Sequence, residues 1–505
     1  MKYIFQTNFL NLLILIIIIS VISIWSANRL TEWNTDYGLY YAGSYFLEEN
    51  YNLYDQFFSH KGPLYFLFLK FIGYIIGWGT FQAYLSLIIT ILFFYIPLYF
   101  LLISQRLKAI SLIAGTLLSL CLLYRQDSNA SLSFFQSGFL LMSFWLLVNN
   151  SKNFIKLSIS YVLYICSILI RVDTIVYFPV YILSLILINY PISIITLIKN
   201  LFIWLVLSIC IFSSLLLIFN FNISSYIIHN FEFNLWYSVK ISSCNSLSCT
   251  LANYIYRPTA FGIVTGSLLI IPIFLLLPLL KISFFELLLS FKNILQNNGV
   301  KRHIDTNIYG LIFLSIGLIT WFLTASDRNY HVLILLVPLI FFYIINFRKF
   351  NSLQCKLLIL VSTFGLIVIL SYPAYKIYKD PTCLFSPYCS SSNMKEYSDS
   401  INFLKSLPDE SVTVVGGDGW LYFFSNKKPS RSINDLWLYT FDDYFITAGL
   451  KKQHEKILKM KQGEKFLIYN RLADQSNTKN QLLKQILNKS ELIQRHKFYS
   501  VYKIK

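Results

Sequence analysis

The chain has 505 residues, of which 56% are hydrophobic, 18% are aromatic and only 13% are charged. Because soluble globular domains carry about a quarter charged residues, this composition excludes a water-soluble fold for most of the chain. The formal net charge of +18 does not indicate nucleic-acid binding, since the basic residues are scattered through short loops and do not form one patch interleaved with aromatic residues.

Long apolar runs predict about eleven transmembrane helices, since roughly 20 apolar residues cross a bilayer as a helix. They are placed near residues 8–27, 81–103, 110–124, 132–149, 157–171, 174–190, 201–220, 259–280, 309–326, 331–347 and 357–375. The first run lacks a small-residue cleavage site at its end, so we expect an uncleaved helix and not a signal peptide. The predicted fold is an α-helical polytopic membrane domain over residues 1–376, followed by a small α/β domain over residues 377–505.

The loops between these helices alternate in basic content. One set holds Arg106, Lys108, Lys152, Lys156, Lys199, Lys281, Lys292, Lys301, Arg302, Arg348, Lys349 and Lys356. By the positive-inside rule, this set is predicted to face the cytoplasm. The opposite set, which includes residues 28–80, residues 222–258 and everything after Lys376, is predicted to be extracytoplasmic.

Two cysteine pairs fall in the predicted outer regions, Cys244 with Cys249 and Cys383 with Cys389. Disulfides persist in oxidising compartments, so each pair is predicted to be bonded, with chance placement of unpaired cysteines as the alternative. Neither pair has the spacing of a zinc site.

The C-terminal region has the alternating pattern of a soluble α/β unit. Helices are predicted at residues 397–407, 444–460 and about 478–487, strands at 412–415 and 465–469, and a hairpin at 492–504. Within it, Gly416-Gly417-Asp418-Gly419 has the wrong glycine spacing for a nucleotide loop and is interpreted as a turn.

The long loop after the first helix is the segment richest in polar and aromatic residues. Asp36 stands just beyond the helix, and Tyr40, Tyr41, Ser44 and Tyr45 follow at helical spacing, on a face predicted to lie along the membrane surface. Two short motifs come next, Asn52-Leu53-Tyr54-Asp55 and His60-Lys61-Gly62-Pro63-Leu64, and Pro63 favours the start of another apolar helix.

This loop resembles the corresponding loop of the GT-C superfamily of integral membrane glycosyltransferases, which includes protein O-mannosyltransferases and the aminoarabinose transferase acting on lipid A. Members have an acidic residue soon after the first helix, an aromatic-rich helix, a Gly-x-x-Tyr-Asp-like turn and a Lys-Pro-Pro-Leu or His-Pro-Pro-Leu segment. Gly62 stands where the family has its first proline. Arg328-Asn329-Tyr330-His331, before a proline-containing span, is similar to the family's Arg-Tyr segment near the donor site.

The resemblance implies an inverting glycosyltransferase with a polyprenyl-phosphate-linked sugar as donor and a lipid, glycan or protein acceptor on the outer side. Asp36 is the predicted general base, since a carboxylate at a helix end avoids the ~2.5–3.5 kcal/mol cost of an acid at the bilayer centre. The predicted substrate-binding residues are Tyr40, Asp55, His60, Lys61, Arg171, Arg328 and Tyr330. Of these, Lys61, Arg171 and Arg328 would meet the leaving phosphate.

No strong metal motif accompanies these residues. The second outer loop offers Asp127 and Gln136 where the family leads one to expect an unmistakable carboxylate, so the use of a divalent cation stays open.

Each assignment has a simpler alternative. Asp36 is also a favoured residue for a helix N-cap, and Asp55 for closing a turn. Lys61 and Arg328 are of the type that reaches to lipid headgroups. For Arg171 and Asp173, at the junction of two predicted spans, the alternative is pairing with partners elsewhere in the chain.

Two other functional classes compete with a glycosyltransferase. A lipid-linked-sugar flippase would require ionisable residues or broken helices near the membrane midplane, and few are found. A polysaccharide polymerase or ligase usually carries its marked loop late in the membrane domain, whereas here it is the first loop. A non-catalytic assembly scaffold would recruit partners through the outer domain, and a dispensable Asp36 would favour it. The expected location is a bacterial inner membrane.

Overall fold

The structure is a computed structural model, and it describes residues 2–31, 35–48, 52–54, 59, 61–124, 130–149, 153–188, 194–232, 306–324, 333–381, 393–408, 412–415, 419–427, 462–469, 487–496 and 499–505. The membrane-type helices and the short helices between them are α1 (Lys2–Thr31), α2 (Thr35–Glu48), α3 (Pro63–Ile76), α4 (Thr80–Ser104), α5 (Ala109–Tyr124), α6 (Ala130–Asn149), α7 (Phe154–Ile168), α8 (Phe178–Ile188), α9 (Ile194–Phe219), α10 (Ile223–Ile227), α11 (Thr306–Thr324), α12 (Leu333–Asn346) and α13 (Ser352–Lys379). The C-terminal region adds α14 (Asn393–Lys405), β1 (Val412–Val415), α15 (Gly419–Ser425), β2 (Lys465–Tyr469), β3 (Ser490–Arg495) and β4 (Tyr499–Ile504).

The predicted transmembrane helices that fall on described residues are all helical. The one predicted at residues 259–280 lies outside the described residues, as does the helix predicted at 444–460. Within the described part of the chain, the stretches Phe81–Ser104, Ile194–Phe219 and Ser352–Ser371 are long and apolar enough to cross a membrane.

The chain divides into two compact units. The first contains the described residues of ranges 1–26, 87–211 and 238–379, and the second those of ranges 27–86, 212–237 and 380–505. The second unit thus combines the first loop with the C-terminal region. The domain boundary predicted between residues 376 and 377 stays a prediction.

The first unit is a helical assembly with small residues where its helices approach closely. On α6, Ser143 Oγ donates to the carbonyl of Ser160 on α7 at 2.6 Å, and Ser160 Oγ donates back to the carbonyl of Ser143 at 2.7 Å. Such reciprocal serine bonds satisfy hydroxyls inside a membrane helix pair.

The large apolar side chains that stay exposed on α9 include Ile194, Ile198, Phe202, Leu205 and Ile209. This exposed face is what a lipid-facing helix presents.

The second unit contains a four-stranded sheet with strand order β1-β2-β4-β3. Strands β1 and β2 are parallel, with Val414 opposite Leu467, and β4 pairs antiparallel with both β2 and β3. The strands predicted at 412–415 and 465–469 and the C-terminal hairpin are therefore confirmed. The pairs Cys244–Cys249 and Cys383–Cys389 lie outside the described residues, and their disulfides stay predictions.

The tyrosine face of α2 is not a membrane-surface face. Tyr37, Tyr41 and Ser44 are each 0% exposed and Tyr40 is 4% exposed. The face is covered by α3 and by Trp78 on one side and by α15 on the other, and α15 comes from the distant C-terminal region. Helical periodicity reveals an apolar face, but it does not reveal which neighbour covers that face.

Candidate active site

The structure describes some of the predicted site residues and not others. Asp36 lies in the first turn of α2, although its side chain is outside the described part of the structure. Tyr40 and Lys61 belong to the second unit and Arg171 to the first. Asp55, His60, Arg328 and Tyr330 lie outside the described residues, as do the alternatives Asp127 and His331.

A tyrosine fixes the turn between the two short motifs of the first loop. Tyr54 has a positive φ of 69° and is only 1% exposed. Its hydroxyl donates to the carbonyl of Lys61 at 2.8 Å, so it ties the first motif to the second. Burial raises the pKa of Tyr54 well above its usual value, and the hydroxyl therefore keeps the proton that it donates.

The segment that follows α9 forms the wall behind this turn. The ring of Tyr54 meets Phe221, Tyr226 and His229 edge-on, at centroid distances of 5.1, 5.5 and 5.7 Å. His229 is 1% exposed, and its imidazole lies close to the backbone of Ser59. Asn230 is equally buried and bonds the Tyr54 side chain. The second motif is therefore held from two directions.

Lys61 is held in this framework with only 9% of its surface exposed. Its backbone N–H donates to Ser59 Oγ at 3.1 Å, and its carbonyl accepts the Tyr54 bond. A cationic side chain with so little exposure is costly unless an anionic or strongly polar group accompanies it. Contact of Lys61 with the donor phosphate stays a prediction.

Tyr40 lies in an aromatic core. Its ring packs edge-on against Tyr65 and Phe66 of α3, at centroid distances of 5.6 and 5.9 Å. Its backbone carbonyl accepts from Ser44 Oγ at 2.8 Å. These contacts account for the burial of the residue by packing, and its role in substrate binding stays a prediction.

Arg171 is the centre of a polar cluster in the first unit. Its guanidinium bonds the Asp173 carboxylate at 2.5 Å and Ser133 Oγ at 2.9 Å. Gln136 Nε2 donates to the other Asp173 oxygen at 2.8 Å and to the Arg171 carbonyl at 3.3 Å. The sequence led us to expect partners elsewhere in the chain, whereas Arg171 and Asp173 pair with each other and also bond Ser133 and Gln136. The cluster ties α6 to the junction between α7 and α8.

Sequence reasoning did not identify Ser59, His229 or Asn230. No local motif marks His229 or Asn230, because their contacts with the first loop arise only when two distant segments come together. The residues that the structure describes contain no group of three or more His, Cys, Asp and Glu side chains arranged to hold a metal ion.

Contacts within each unit test part of the predicted sidedness. Arg348, after α12, donates to the carbonyl of Gln105 at 2.7 Å, so the α4–α5 and α12–α13 loops lie on one side. In the second unit, Gly38 of α2 and Gly419 of α15 are in van der Waals contact, so the first loop and the C-terminal region also share a side. Both pairings agree with the predicted topology, although neither identifies the compartment.

Comparison with solved structures identifies the fold of this chain. The crystal structure of ArnT from Cupriavidus metallidurans bound to undecaprenyl phosphate is similar over 97% of this chain and 97% of that chain, with a TM-score of 0.54 and 10% sequence identity. The structure of the same protein in the apo state covers the same shares, with a TM-score of 0.45 and 11% identity. No protein-family model and no curated protein matches the chain.

ArnT is an aminoarabinose transferase of the GT-C superfamily. The GT-C fold expected from the first loop is therefore confirmed, and this fold with the apolar helices supports a multi-pass membrane protein.

Proposed function

We propose that this protein is a GT-C-type glycosyltransferase that moves a sugar from a polyprenyl-phosphate donor to an acceptor on the extracytoplasmic side of a bacterial inner membrane. One observation supports this most strongly: the ArnT-like fold extends over 97% of the chain. The loop motifs that led to the same superfamily add to it, since Tyr54 and Ser59 hold Lys61 in a fixed and nearly buried position.

The proposed chemistry is a single displacement with inversion. Asp36 takes the proton of the acceptor hydroxyl as the acceptor oxygen attacks the anomeric carbon of the donor. The bond from that carbon to the phosphate oxygen breaks, and its electron pair leaves with the polyprenyl phosphate. The cationic side chains of Lys61, Arg328 and Arg171 stabilise the charge that develops on the phosphate.

The other predicted substrate-binding residues have supporting roles in the proposed reaction. Tyr40, Asp55, His60 and Tyr330 would orient the sugar, a hexose or a pentose. The Asp173 ion pair fixes the Arg171 guanidinium, and a pre-oriented guanidinium suits bidentate phosphate contact.

A donor panel tests the function. Purified protein in lipid nanodiscs is incubated with radiolabelled polyprenyl-phosphate sugars, and consumption of each donor is followed with and without a chelator. We expect at least one donor to be consumed, and the chelator arm shows whether a divalent cation takes part. Inertness toward the whole panel, with movement of a donor between leaflets, would favour a flippase instead.

Asp36→Asn tests the mechanism, since it keeps the shape of the side chain and removes the basic carboxylate. We expect turnover to fall on the order of 10²-fold or more, with the KM for the donor nearly unchanged. Asp399→Asn, the same change at an exposed position of α14, is the matched control and should keep full turnover. Near-normal transfer by a folded Asp36→Asn protein would contradict the mechanism.

A further inference from the structure

We infer that α15 of the C-terminal region positions α2, and with it the proposed base Asp36, through a close-packed joint made of Gly38, Leu39, Gly419 and Trp420. The link to catalysis rests on the proposed function, whereas the joint itself is a property of the fold.

The two glycines let the backbones of α2 and α15 touch. A Cβ on Gly419 would lie 2.7 Å from the Gly38 carbonyl oxygen and 2.9 Å from the Leu39 Cα. A Cβ on Gly38 would lie 2.1 Å from Trp420 Nε1, inside the indole ring. An alanine at Gly419 therefore requires a shift of one helix against the other, whereas an alanine at Gly38 requires the buried indole or the helix that carries it to move.

Aromatic contacts extend the joint along α2. Trp420 is 2% exposed and lies 6.0 Å from the ring of Tyr37 and 5.6 Å from that of Tyr41. One turn further along α2, Tyr45 Oη donates to Asn426 Oδ1 at 3.1 Å, just after α15 ends. The contact thus covers the length of α15 and does not depend on a single side chain.

α15 is itself anchored to the sheet. The backbone N–H of Val414 in β1 donates to Tyr422 Oη at 2.6 Å, and Tyr422 is 1% exposed. The sheet therefore holds α15, and α15 holds α2. Asp36 stands two residues before Gly38 in α2, so a displacement of the joint is transmitted to the backbone of the proposed base.

The position of Asp36 determines the rate of the proposed proton transfer. A general base must lie within hydrogen-bond reach of the proton it removes, and a misplacement of about 1 Å can cost on the order of 10²-fold in rate. A misplaced base slows the chemical step without removing a contact to the donor, so loss of the joint should reduce kcat more than it raises KM.

A size-exchange series tests the joint. Gly38→Ala and Gly419→Ala are each combined with Trp420→Leu, and amide hydrogen exchange of residues 37–48 is measured by mass spectrometry together with donor turnover. Trp420→Leu removes the indole atoms that a Cβ at Gly38 would meet. A Cβ at Gly419 would meet the backbone of Gly38 and Leu39, which Trp420→Leu leaves in place.

We expect each single alanine variant to speed exchange in α2 by about tenfold or more and to lower kcat with the KM for the donor nearly kept. Trp420→Leu should restore slow exchange and turnover to Gly38→Ala but not to Gly419→Ala. Tyr422→Phe, which removes the bond to β1 and leaves the glycines in place, is the control for general destabilisation of α15 and should speed α2 exchange less than either alanine variant.

The outcomes separate the joint from the proposed function. Unchanged α2 exchange in both alanine variants, or equal rescue of both by Trp420→Leu, would overturn the joint. In an active protein, faster α2 exchange without any loss of kcat would overturn the positioning role. If the wild-type protein is inert toward every donor, the proposed function fails, and the exchange series alone decides whether α15 positions α2.

Discussion

Tyr54 is the residue on which the order of the first loop depends most. A tyrosine with positive φ is strained, and the surroundings must hold it there. Three aromatic rings and one hydroxyl bond to the Lys61 carbonyl do so. Because that carbonyl is buried with Lys61, losing the hydroxyl leaves an acceptor without its donor.

We therefore expect Tyr54→Phe to lower the stability of the fold by about 1–3 kcal/mol. Turnover should fall as well, since the Lys61 segment loses one of its two fixed points. The measurement is thermal unfolding in nanodiscs together with donor consumption. Tyr74→Phe makes the same chemical change at a side chain that is 79% exposed on α3, and should alter neither quantity. Equal behaviour of the two variants would show that the Tyr54 hydroxyl has no such role.

His229 makes the same region sensitive to acid. Burial lowers the pKa of His229 from 6.5 to about 3, against a smaller opposing effect of the nearby Ser59 backbone. Between pH 6.5 and about pH 3, His229 binds a proton in the unfolded chain but not in the folded chain. The fold is therefore most stable, with respect to this group, above pH 6.5, and that stability is lost as the pH falls toward 3.

We expect the wild-type protein to lose about 1.4 kcal/mol of stability per pH unit through this histidine below its unfolded pKa. His229→Gln should have a shallower dependence of melting temperature on pH between 6 and 4, over and above the common slope from carboxylates. Parallel curves for the two proteins would mean that His229 is protonated at little cost.

The sequence was informative at this scale only where neighbours in the chain are neighbours in space. The Tyr54 and Lys61 motifs were found because they lie within one loop. His229 and Asn230 were not found, since their contacts to that loop depend on a distant segment. Arg171 and Asp173 were recognised as ionisable residues at a junction of spans, but their mutual ion pair and the bonds to Ser133 and Gln136 required the structure.

At the scale of elements, glycine positions determine how closely helices approach. A Cβ on Gly138 of α6 would lie 2.5 Å from the backbone oxygen of Phe93 on α4. A Cβ on Gly115 of α5 would first meet a Leu102 methyl group, at 2.8 Å, which can rotate away. The same substitution therefore meets rigid backbone at one site and a flexible side chain at the other.

We expect Gly138→Ala to destabilise the first unit by about 1–3 kcal/mol, because α4 and α6 must move apart. Gly115→Ala should cost clearly less and serves as the matched control. Thermal unfolding of both variants, prepared in the same lipid, measures the difference. If Gly115→Ala were the more harmful, rigid backbone contact would not be what limits the approach of these helices.

Sequence patterns predicted the helices and strands well, but the packing of α2 wrongly. Apolar length, together with the alternation of β-branched and polar residues, is a local property, so the strand at 412–415 and the hairpin could be predicted. The burial of α2 depends on α15, which follows it by hundreds of residues. Gly419 was interpreted as part of a turn, whereas it begins α15 and contacts α2.

At the scale of the whole molecule, charge and contact give complementary information. The positive-inside rule assigns a compartment to each loop but cannot show that two loops meet. The contact of Arg348 with Gln105, and that of Gly38 with Gly419, show which segments share a side. Each contact thus fixes a pair of segments within its own unit, and the compartment of each pair is the question that remains.

Cysteine labelling answers that question, and the structure indicates where to place the cysteines. Ser59 and Ser425 are natural choices from sequence but are only 5% and 3% exposed, so a reagent would not reach them.

Lys489 before β3 and Lys349 after α12 are both exposed. In intact spheroplasts, we expect a membrane-impermeant maleimide to label Lys489→Cys and to leave Lys349→Cys unlabelled until the membrane is opened. The unsubstituted chain gives the background from native thiols. Labelling of Lys349→Cys alone would invert the orientation, and it would place Asp36 on the cytoplasmic side, where the proposed acceptor is not found.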